Sequence, residues 1–334
     1  MRFEDIRKVI VLAGGPSSEA AVSRVTAAGM AEAVRGMGKD VDVWELEGDW
    51  LARLVAVPKE GVFVLLALHG CPGEDGTVQG VLELLGVPYQ GSGVLGCALA
   101  MDKVRARTVM AAAGVEVAEA LVGDDGWDNE VVSAFLAKHG KVVAKPVASG
   151  SSVGVSIVSS MAEWPAAYTK ASAEGDVLVE QYIAGKELTV GVLVPQRGEP
   201  TALAVVEIVA NKDVFYDYES KYGAGGSDHI CPALLPEVVT AAAQQGAVKA
   251  ALAVGAKGAC RVDFRYDDTC NKLVGLEVNA TPDYGLVVLE VNTLPGMTPT
   301  SLLPDAARFA ATPMDYPALV RWMINDGLTR LEKV

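Results

Sequence analysis

Lys145-Pro146-Val147-Ala148-Ser149-Gly150-Ser151-Ser152-Val153-Gly154 places a lysine at the end of one strand-like run, Lys141 to Lys145, and opens another, Val153 to Val158. In a dinucleotide-binding fingerprint the glycines lead into a helix, whereas these lead into a strand. The stretch therefore reads as a Gly/Ser loop between two strands. Its backbone N–H groups can approach phosphate oxygens closely, with Lys145 beside them. It is no Walker A sequence, and because Gly150-Ser151-Ser152 opens no helix it is no nucleophile elbow either.

Upstream of this loop the chain alternates strand and helix. Lys8 to Ala13 is a β-branched run, Gly14-Gly15 a turn, and Glu19 to Gly36 an Ala-rich helical stretch. Val41 to Leu46 and Val62 to Leu68 read as strands, and Val78, Val81, Leu82 and Leu85 recur at helical spacing. Such βαβ units imply a parallel sheet. A boundary is expected near Gly91-Ser92-Gly93, followed by a helix from Met101 to Ala113 with Gly114 as its stop. Downstream, long antiparallel-looking strands mix with helices at Glu237 to Val254, Ser301 to Ala310 and Tyr316 to Gly327.

With 334 residues the chain is longer than one core usually supports, so two or three domains are expected. No run approaches the ~20 apolar residues of a membrane span, and Met1 to Lys8 lacks the order of a signal peptide. The five cysteines form no CxxC pair, which fits reduced thiols in a cytoplasmic protein. A net charge of −14 disfavours nucleic acid and anionic membranes as partners. Any phosphate ligand must meet a local cluster of cations and backbone amides.

Strand alternation in Arg261-Val262-Asp263-Phe264-Arg265-Tyr266 puts Arg261, Asp263 and Arg265 on one face. The same period in Leu289-Glu290-Val291-Asn292 puts Glu290 and Asn292 together. If these strands pair, hard oxygens converge beside an arginine, a donor set that suits Mg²⁺. Neither Cys nor His is close in sequence, so zinc is disfavoured. Lys103 and Lys221 can add positive charge, while Glu180 and Glu187 flank the short connection Gln181 to Lys186. Glu187 and Thr189 share one face of the strand that follows, and His69 sits at a strand end, where α/β folds place ligand-binding residues. Taken singly, each also reads as an ordinary surface charge or a structural histidine. A 13-residue repeat complicates the metal set: Val274 to Leu286 (VGLEVNATPDYGL) aligns without gaps to Val287 to Pro299 (VVLEVNTLPGMTP).

In order, these segments resemble the D-alanine–D-alanine ligases of the ATP-grasp superfamily, from Leu12 to about Gly327. The matching stretches are Gly14-Gly15-Pro16-Ser17-Ser18-Glu19, Ala67-Leu68-His69-Gly70 with Gly73-Glu74-Asp75-Gly76, and Met101-Asp102-Lys103. They continue through the Gly/Ser loop and Phe215-Tyr216-Asp217-Tyr218-Glu219-Ser220-Lys221-Tyr222 to Leu289-Glu290-Val291-Asn292-Thr293-Leu294-Pro295-Gly296-Met297-Thr298. The resemblance implies an α/β and α+β multidomain fold. A Rossmann-like pre-ATP-grasp domain (1–96) would precede a two-part ATP-grasp fold (97–186 and 187–334).

It further implies that Lys103, Lys145, Ser152, Glu180, Glu187, Phe215 and Lys221 hold ATP, and that Asp263, Glu290 and Asn292 hold two Mg²⁺ or Mn²⁺. Glu19 would meet the first D-alanine's ammonium and His69 its carboxylate, while Ser301 and Leu302 would position the second D-alanine. Glu19, Ser151 and Tyr222 would form a hydrogen-bonded network over the substrates. Arg261, with a backbone donor at Gly296, would stabilise the tetrahedral intermediate. A cytoplasmic homodimer serving peptidoglycan precursor synthesis is the expected setting.

Two features depart from the family pattern. Ser149 stands where many relatives carry a charged residue before the glycine. The repeat also offers two Glu-x-Asn pairs. Family spacing from the metal aspartate favours Glu277 and Asn279, whereas Glu290 lies 27 residues beyond Asp263. The Pro-Gly-Met-Thr segment and Ser301 nevertheless follow the second copy, which favours Glu290 and Asn292, with the first copy extruded as an extra hairpin. A D-alanine–D-lactate ligase is a rival reading, against which Tyr222 argues. A catalytically silent ATP-binding homologue is another, and retention of the charged motif residues argues against it.

Overall fold

The computed structural model describes residues 1–121, 128–150, 152–210, 227–269 and 284–331. Strands β1 (Lys8–Ala13), β2 (Asp40–Glu45) and β3 (Val62–Leu66) form a parallel sheet in the order β2-β1-β3. β1 is buried on both faces, as a central parallel strand should be. Val9, Val11 and Ala13 join the core that includes α1 (Ala20–Gly36), while Ile10 and Leu12 face the opposite core with Leu54 of α2 (Trp50–Ala56) and Leu82 of α3 (Thr77–Leu85). Gly14 has φ +71°, and a Cβ there would lie 2.0 Å from the Glu45 carboxylate, so the turn after β1 requires glycine.

The helix expected from Met101 to Ala113 is α5 (Lys103–Ala112), and a further helix, α4 (Val94–Met101), precedes it. Asp102 separates them because its side chain caps α5, accepting from Arg105 N–H at 2.9 Å. Ala100, Ala106 and Met110 pack into the core under the C-terminal sheet.

Strands β4 (Ala120–Leu121), β5 (Val142–Pro146), β6 (Ser156–Val158) and β7 (Val177–Gln181) form an antiparallel sheet in the order β4-β7-β5-β6. One face is covered by α6 (Asn129–His139) and α7 (Trp164–Ser172) around Phe135, Leu136 and Trp164. The loop between β5 and β6 is the Gly/Ser segment, so the reading of that stretch as a loop between two strands matches the structure.

A five-stranded antiparallel sheet follows, ordered β10-β9-β8-β11-β12. Its strands are β8 (Lys186–Val194), β9 (Thr201–Ala210), β10 (Ser227–Ile230), β11 (Gly258–Tyr266) and β12 (Leu286–Asn292). α8 (Glu237–Ala253) covers the face bearing Leu188, Val190, Val192, Cys260, Val262 and Phe264. The other face carries Glu187, Thr189, Asp263 and Arg265 at one end and Leu193 and Ala259 at the other. The apolar end packs into the core of the first sheet, together with α9 (Leu302–Arg308) and α10 (Tyr316–Leu328). This junction is tight: a Cβ on Gly258 (φ +72°) would lie 2.6 Å from Gly91 Cα. The first and last parts of the chain thus share a core, while the central sheet carries its own.

Candidate active site

A cleft opens between the central sheet, the Gly/Ser loop and the polar end of the C-terminal sheet. Lys103, Lys145, Glu180, Glu187, Asp263, Arg265 and Glu290 line it. Lys103 begins α5, where its N–H donates to Val147 O at 3.1 Å. Its Nζ donates to Ser149 O at 2.5 Å and lies 3.8 Å from Glu290 Oε2, so one lysine bridges the loop and the opposite wall.

Lys145 and Glu180 project from the neighbouring strands β5 and β7 and pair directly. Arg107, one helical turn beyond Lys103, donates to Glu180 Oε2 at 3.0 Å and also to Ala118 O. All three side chains are buried. Burial pulls the Arg107 guanidinium below its ordinary range, with Glu180 opposing that shift.

The register of β11 against β12 pairs Asp263 with Glu290 and Arg261 with Asn292. It is therefore the second Glu-x-Asn copy that faces Asp263; Glu277 and Asn279 lie outside the described residues. Asp263 is buried and fully engaged. Arg261 donates to it through Nε and Nη2, both at 2.9 Å, Asn292 Nδ2 at 2.9 Å and Thr189 Oγ1 at 2.6 Å. Among the described residues no three His, Cys, Asp or Glu side chains gather as a metal site. The set here is two carboxylates and one amide. These hard oxygens fit Mg²⁺, which leaves most of its positions to phosphate oxygens and water.

Toward the N-terminal sheet, Glu19 precedes α1 and is buried. Its Oε2 would lie 3.4 Å from a Cβ built on Gly150, so its carboxylate faces the Gly/Ser loop. His69 follows β3, with Nε2 3.5 Å from Thr26 Oγ1 and Nδ1 3.7 Å from Glu74 Oε1. Ser23 Oγ, accepting from Gly14 N–H at 2.7 Å and donating to Ala67 O at 2.6 Å, ties the turns that present both groups. Nearby Cys71 is exposed, yet hydrogen bonding to Asp75 and then burial push its thiol up to about 11, which removes it as a nucleophile.

Beyond β12 the chain turns through Gly296 into Ser301, the residue preceding α9. Ser301 Oγ accepts from Thr298 N–H at 3.0 Å, and a Cβ on Gly296 would lie 3.1 Å from that oxygen. Leu302 is buried beside it. Tyr316 OH donates to Met297 O at 2.6 Å, anchoring the turn to α10.

Ser152, at φ +59°, is the one non-glycine with positive φ among the described residues and lines the cleft. Ser151, Phe215, Lys221 and Tyr222 lie outside the described residues. Sequence reasoning assigned no role to Arg107, Thr189 or Arg265. Their signals were a spacing of four from Lys103 and places on the polar faces of β8 and β11.

A Gly/Ser hairpin closing on a lysine-lined cleft between two antiparallel sheets, behind a parallel-sheet unit, is the architecture of an ATP-grasp enzyme. The D-ala D-ala ligase C-terminus model matches residues 110–286 and 281–325, and the corresponding N-terminus model matches 54–92. The two C-terminal matches overlap at 281–286, within the repeat. The chain is 42% identical over 325 residues to the D-alanine–D-alanine ligase of Jannaschia sp., covering 96% of each. It is 45% identical over 327 residues to that of Caulobacter vibrioides, covering 97% of this chain and 94% of that one. The Bacillus anthracis D-alanine–D-alanine ligase complexed with ATP superposes with a TM-score of 0.76 at 27% identity, covering 98% and 99% of the two chains. The chain belongs to the D-alanine–D-alanine ligase family.

Proposed function

We propose that this protein joins two D-alanine molecules, with ATP cleaved to ADP and phosphate, through a D-alanyl phosphate. One observation carries this reading: the cleft opposes Lys103 and the Lys145–Glu180 pair to the register-matched Asp263–Glu290 and Arg261–Asn292 pairs. Glu19 faces the Gly/Ser loop from the N-terminal side.

The first D-alanine carboxylate is a poor nucleophile toward a polyanion, so charge on the γ-phosphoryl group must be neutralised as it transfers. Lys103, Lys145 and the loop amides supply this from one side. Asp263, Glu290 and Asn292 would hold the divalent ions, which supply charge stabilisation and in-line alignment when bound. Glu19 and His69 orient the first D-alanine by its ammonium and carboxylate. The Gly296–Ser301 turn and Leu302 seat the second, whose amine attacks the acyl carbon and expels phosphate. Arg261, fixed by its two bonds to Asp263, aims positive charge at the oxygen that becomes anionic in that step.

The division at 1–96, 97–186 and 187–334 is proposed with this function. So are the two Mg²⁺ or Mn²⁺ ions, a homodimeric state, a cytoplasmic location and a role in peptidoglycan precursor synthesis. The homodimer rests on the family resemblance, and among the described residues no helix is long and apolar enough to cross a membrane. The test is ADP release with D-alanine, ATP and Mg²⁺, with the product identified by mass and D-lactate offered as the competing acceptor. D-Alanyl-D-alanine and D-alanine-dependent ADP release are expected. Exclusive ester formation, or ADP release independent of D-alanine, would overturn the reading.

A further inference from the structure

Lys145 and Glu180 line the cleft, whereas Arg107, which the mechanism above does not use, is not among the described residues that line it. Glu180 on β7 stands opposite Val143 on β5, and Lys145 lies two residues along β5. The two side chains therefore share the face turned away from the core under α6 and α7. Arg107 comes to the same carboxylate from α5, and the pairing is divided between its oxygens. Lys145 Nζ takes Glu180 Oε1, while Arg107 Nη1 donates to Oε2 at 3.0 Å and Nη2 donates to Ala118 O. Relative exposures are 9% for Arg107, 7% for Lys145 and 3% for Glu180, so the three charges meet with little water around them. Two cations and one anion leave this buried group with a positive charge in excess. An excess charge out of water is unfavourable until an anion pairs it. Of the two cations only Lys145 lines the cleft, so it is the one that an anion there can take. Arg107 stays on Glu180, held also by Ala118 O.

We propose that Arg107 is a positioning residue for phosphate binding: its charge neutralises Glu180 and so lets Lys145 leave that carboxylate for a nucleotide phosphate. This rests on the reading of the cleft as an ATP site with Lys145 at the phosphates. Without Arg107, Lys145 is the sole cation on a buried carboxylate, and moving it to a phosphate strands that negative charge in the protein, which is strongly unfavourable. Lys145 is then held back, although nothing that touches the nucleotide has changed.

The test measures dissociation constants for ATP and for adenosine by calorimetry, at fixed Mg²⁺ and without D-alanine. Their ratio reports the preference for phosphates, and any effect on nucleoside binding alone cancels in it. Arg107→Met is expected to lower the preference about tenfold, the scale of one charge-assisted contact. Arg107→Lys, which keeps a cation beside Glu180, should retain most of it. The double variant Arg107→Met/Glu180→Gln removes the carboxylate that holds Lys145, and should recover the preference lost in Arg107→Met. A purely structural role gives the opposite pattern, with both ligands weakened alike by Arg107→Met and no recovery on the second substitution. An unchanged ratio in Arg107→Met overturns the proposal, as does a double variant that recovers nothing. If Arg107→Met fails to fold, Arg107→Gln, which keeps a donor without the charge, is read by the same ratio, alone and with Glu180→Gln. A wild type that binds ATP no more tightly than adenosine removes the ATP-site reading and the proposal with it, a result distinct from either failure.

Discussion

Glu290→Gln, set against Glu277→Gln, tests which copy of the repeat works. In the structure Glu290 faces Asp263 across the β11–β12 ladder, and its Oε2 lies 3.8 Å from Lys103 Nζ. Asp263 is already committed to Arg261, Asn292 and Thr189, so in the proposed site Glu290 carries the greater share of uncommitted negative charge toward the metal. Removing one charged oxygen from a site that stabilises a transferring phosphoryl group costs several kcal/mol, or roughly 10²- to 10³-fold in kcat/KM. Stability should change far less. The Lys103–Glu290 attraction is about 4 kcal/mol gross at an effective dielectric of about 20. Glu290 is partly solvated and also repels Asp263, which brings the net change to about 1 kcal/mol. Coupled ADP-release kinetics over a Mg²⁺ series, with urea midpoints as the folding control, should therefore show a folded, nearly inactive Glu290→Gln. Glu277→Gln should stay within about threefold of wild type, the margin expected for a change outside the reacting groups. A folded Glu290→Gln of wild-type activity beside an inactive Glu277→Gln would refute the assignment.

Arg107→Met should destabilise the fold by about 3 kcal/mol in urea unfolding, because it removes one of Glu180's two buried cations and the donor to Ala118 O. Gly258→Ala should cost about 2–4 kcal/mol by the same measurement, since the new Cβ meets the Gly91 backbone 2.6 Å away and φ is +72°. Asp326 predicts a pH effect: burial raises its carboxyl above the ordinary value, against the hydrogen bond from Gln196 N–H. The folded state then holds the proton to higher pH than the unfolded state. This contribution to stability is present below the unfolded value of 3.8 and is lost as pH rises through the raised folded value. Unfolding free energies of wild type minus Asp326→Asn should fall across that window and flatten above it.

The sheets were legible because their alternation is strong: Val9, Val11 and Ala13 against Ile10 and Leu12, and Arg261, Asp263 and Arg265 against Val262 and Phe264, all face as the period of two demands. The copy of Glu-x-Asn was not settled by that pattern, since each copy presents its oxygens on one face equally well. The register pairs Glu290 with Asp263, and register is a pairing property that a single strand does not encode. The helix read at Met101 to Ala113 is α5, whereas α4 just upstream was not read; a side-chain cap at Asp102, rather than Gly or Pro, separates the two. Arg107 was missed for a related reason. Its partner Glu180 lies 73 residues away, on a strand that only the tertiary fold brings beside α5.

The charges of the cleft also bear on how a chain of net charge −14 admits a polyanion. Lys103 lies against Glu290, Lys145 against Glu180, Arg261 against Asp263 and Arg265 against Glu187, so each carboxylate of the cleft has a cation beside it. The cleft is thus locally balanced although the chain is acidic, and long-range repulsion is screened beyond about 8–10 Å at physiological salt. In the proposed site an incoming phosphate would compete for Lys103 and so draw it from Glu290 on the wall facing Asp263. Asp263, Glu290 and Asn292 would hold a divalent ion there, which would restore the balance. In the proposed site, nucleotide and metal each remove the cost of binding the other, a coupling that thermodynamic linkage makes reciprocal. The second Glu-x-Asn copy can take part in this exchange because β12 pairs Glu290 with Asp263 and sets it beside Lys103.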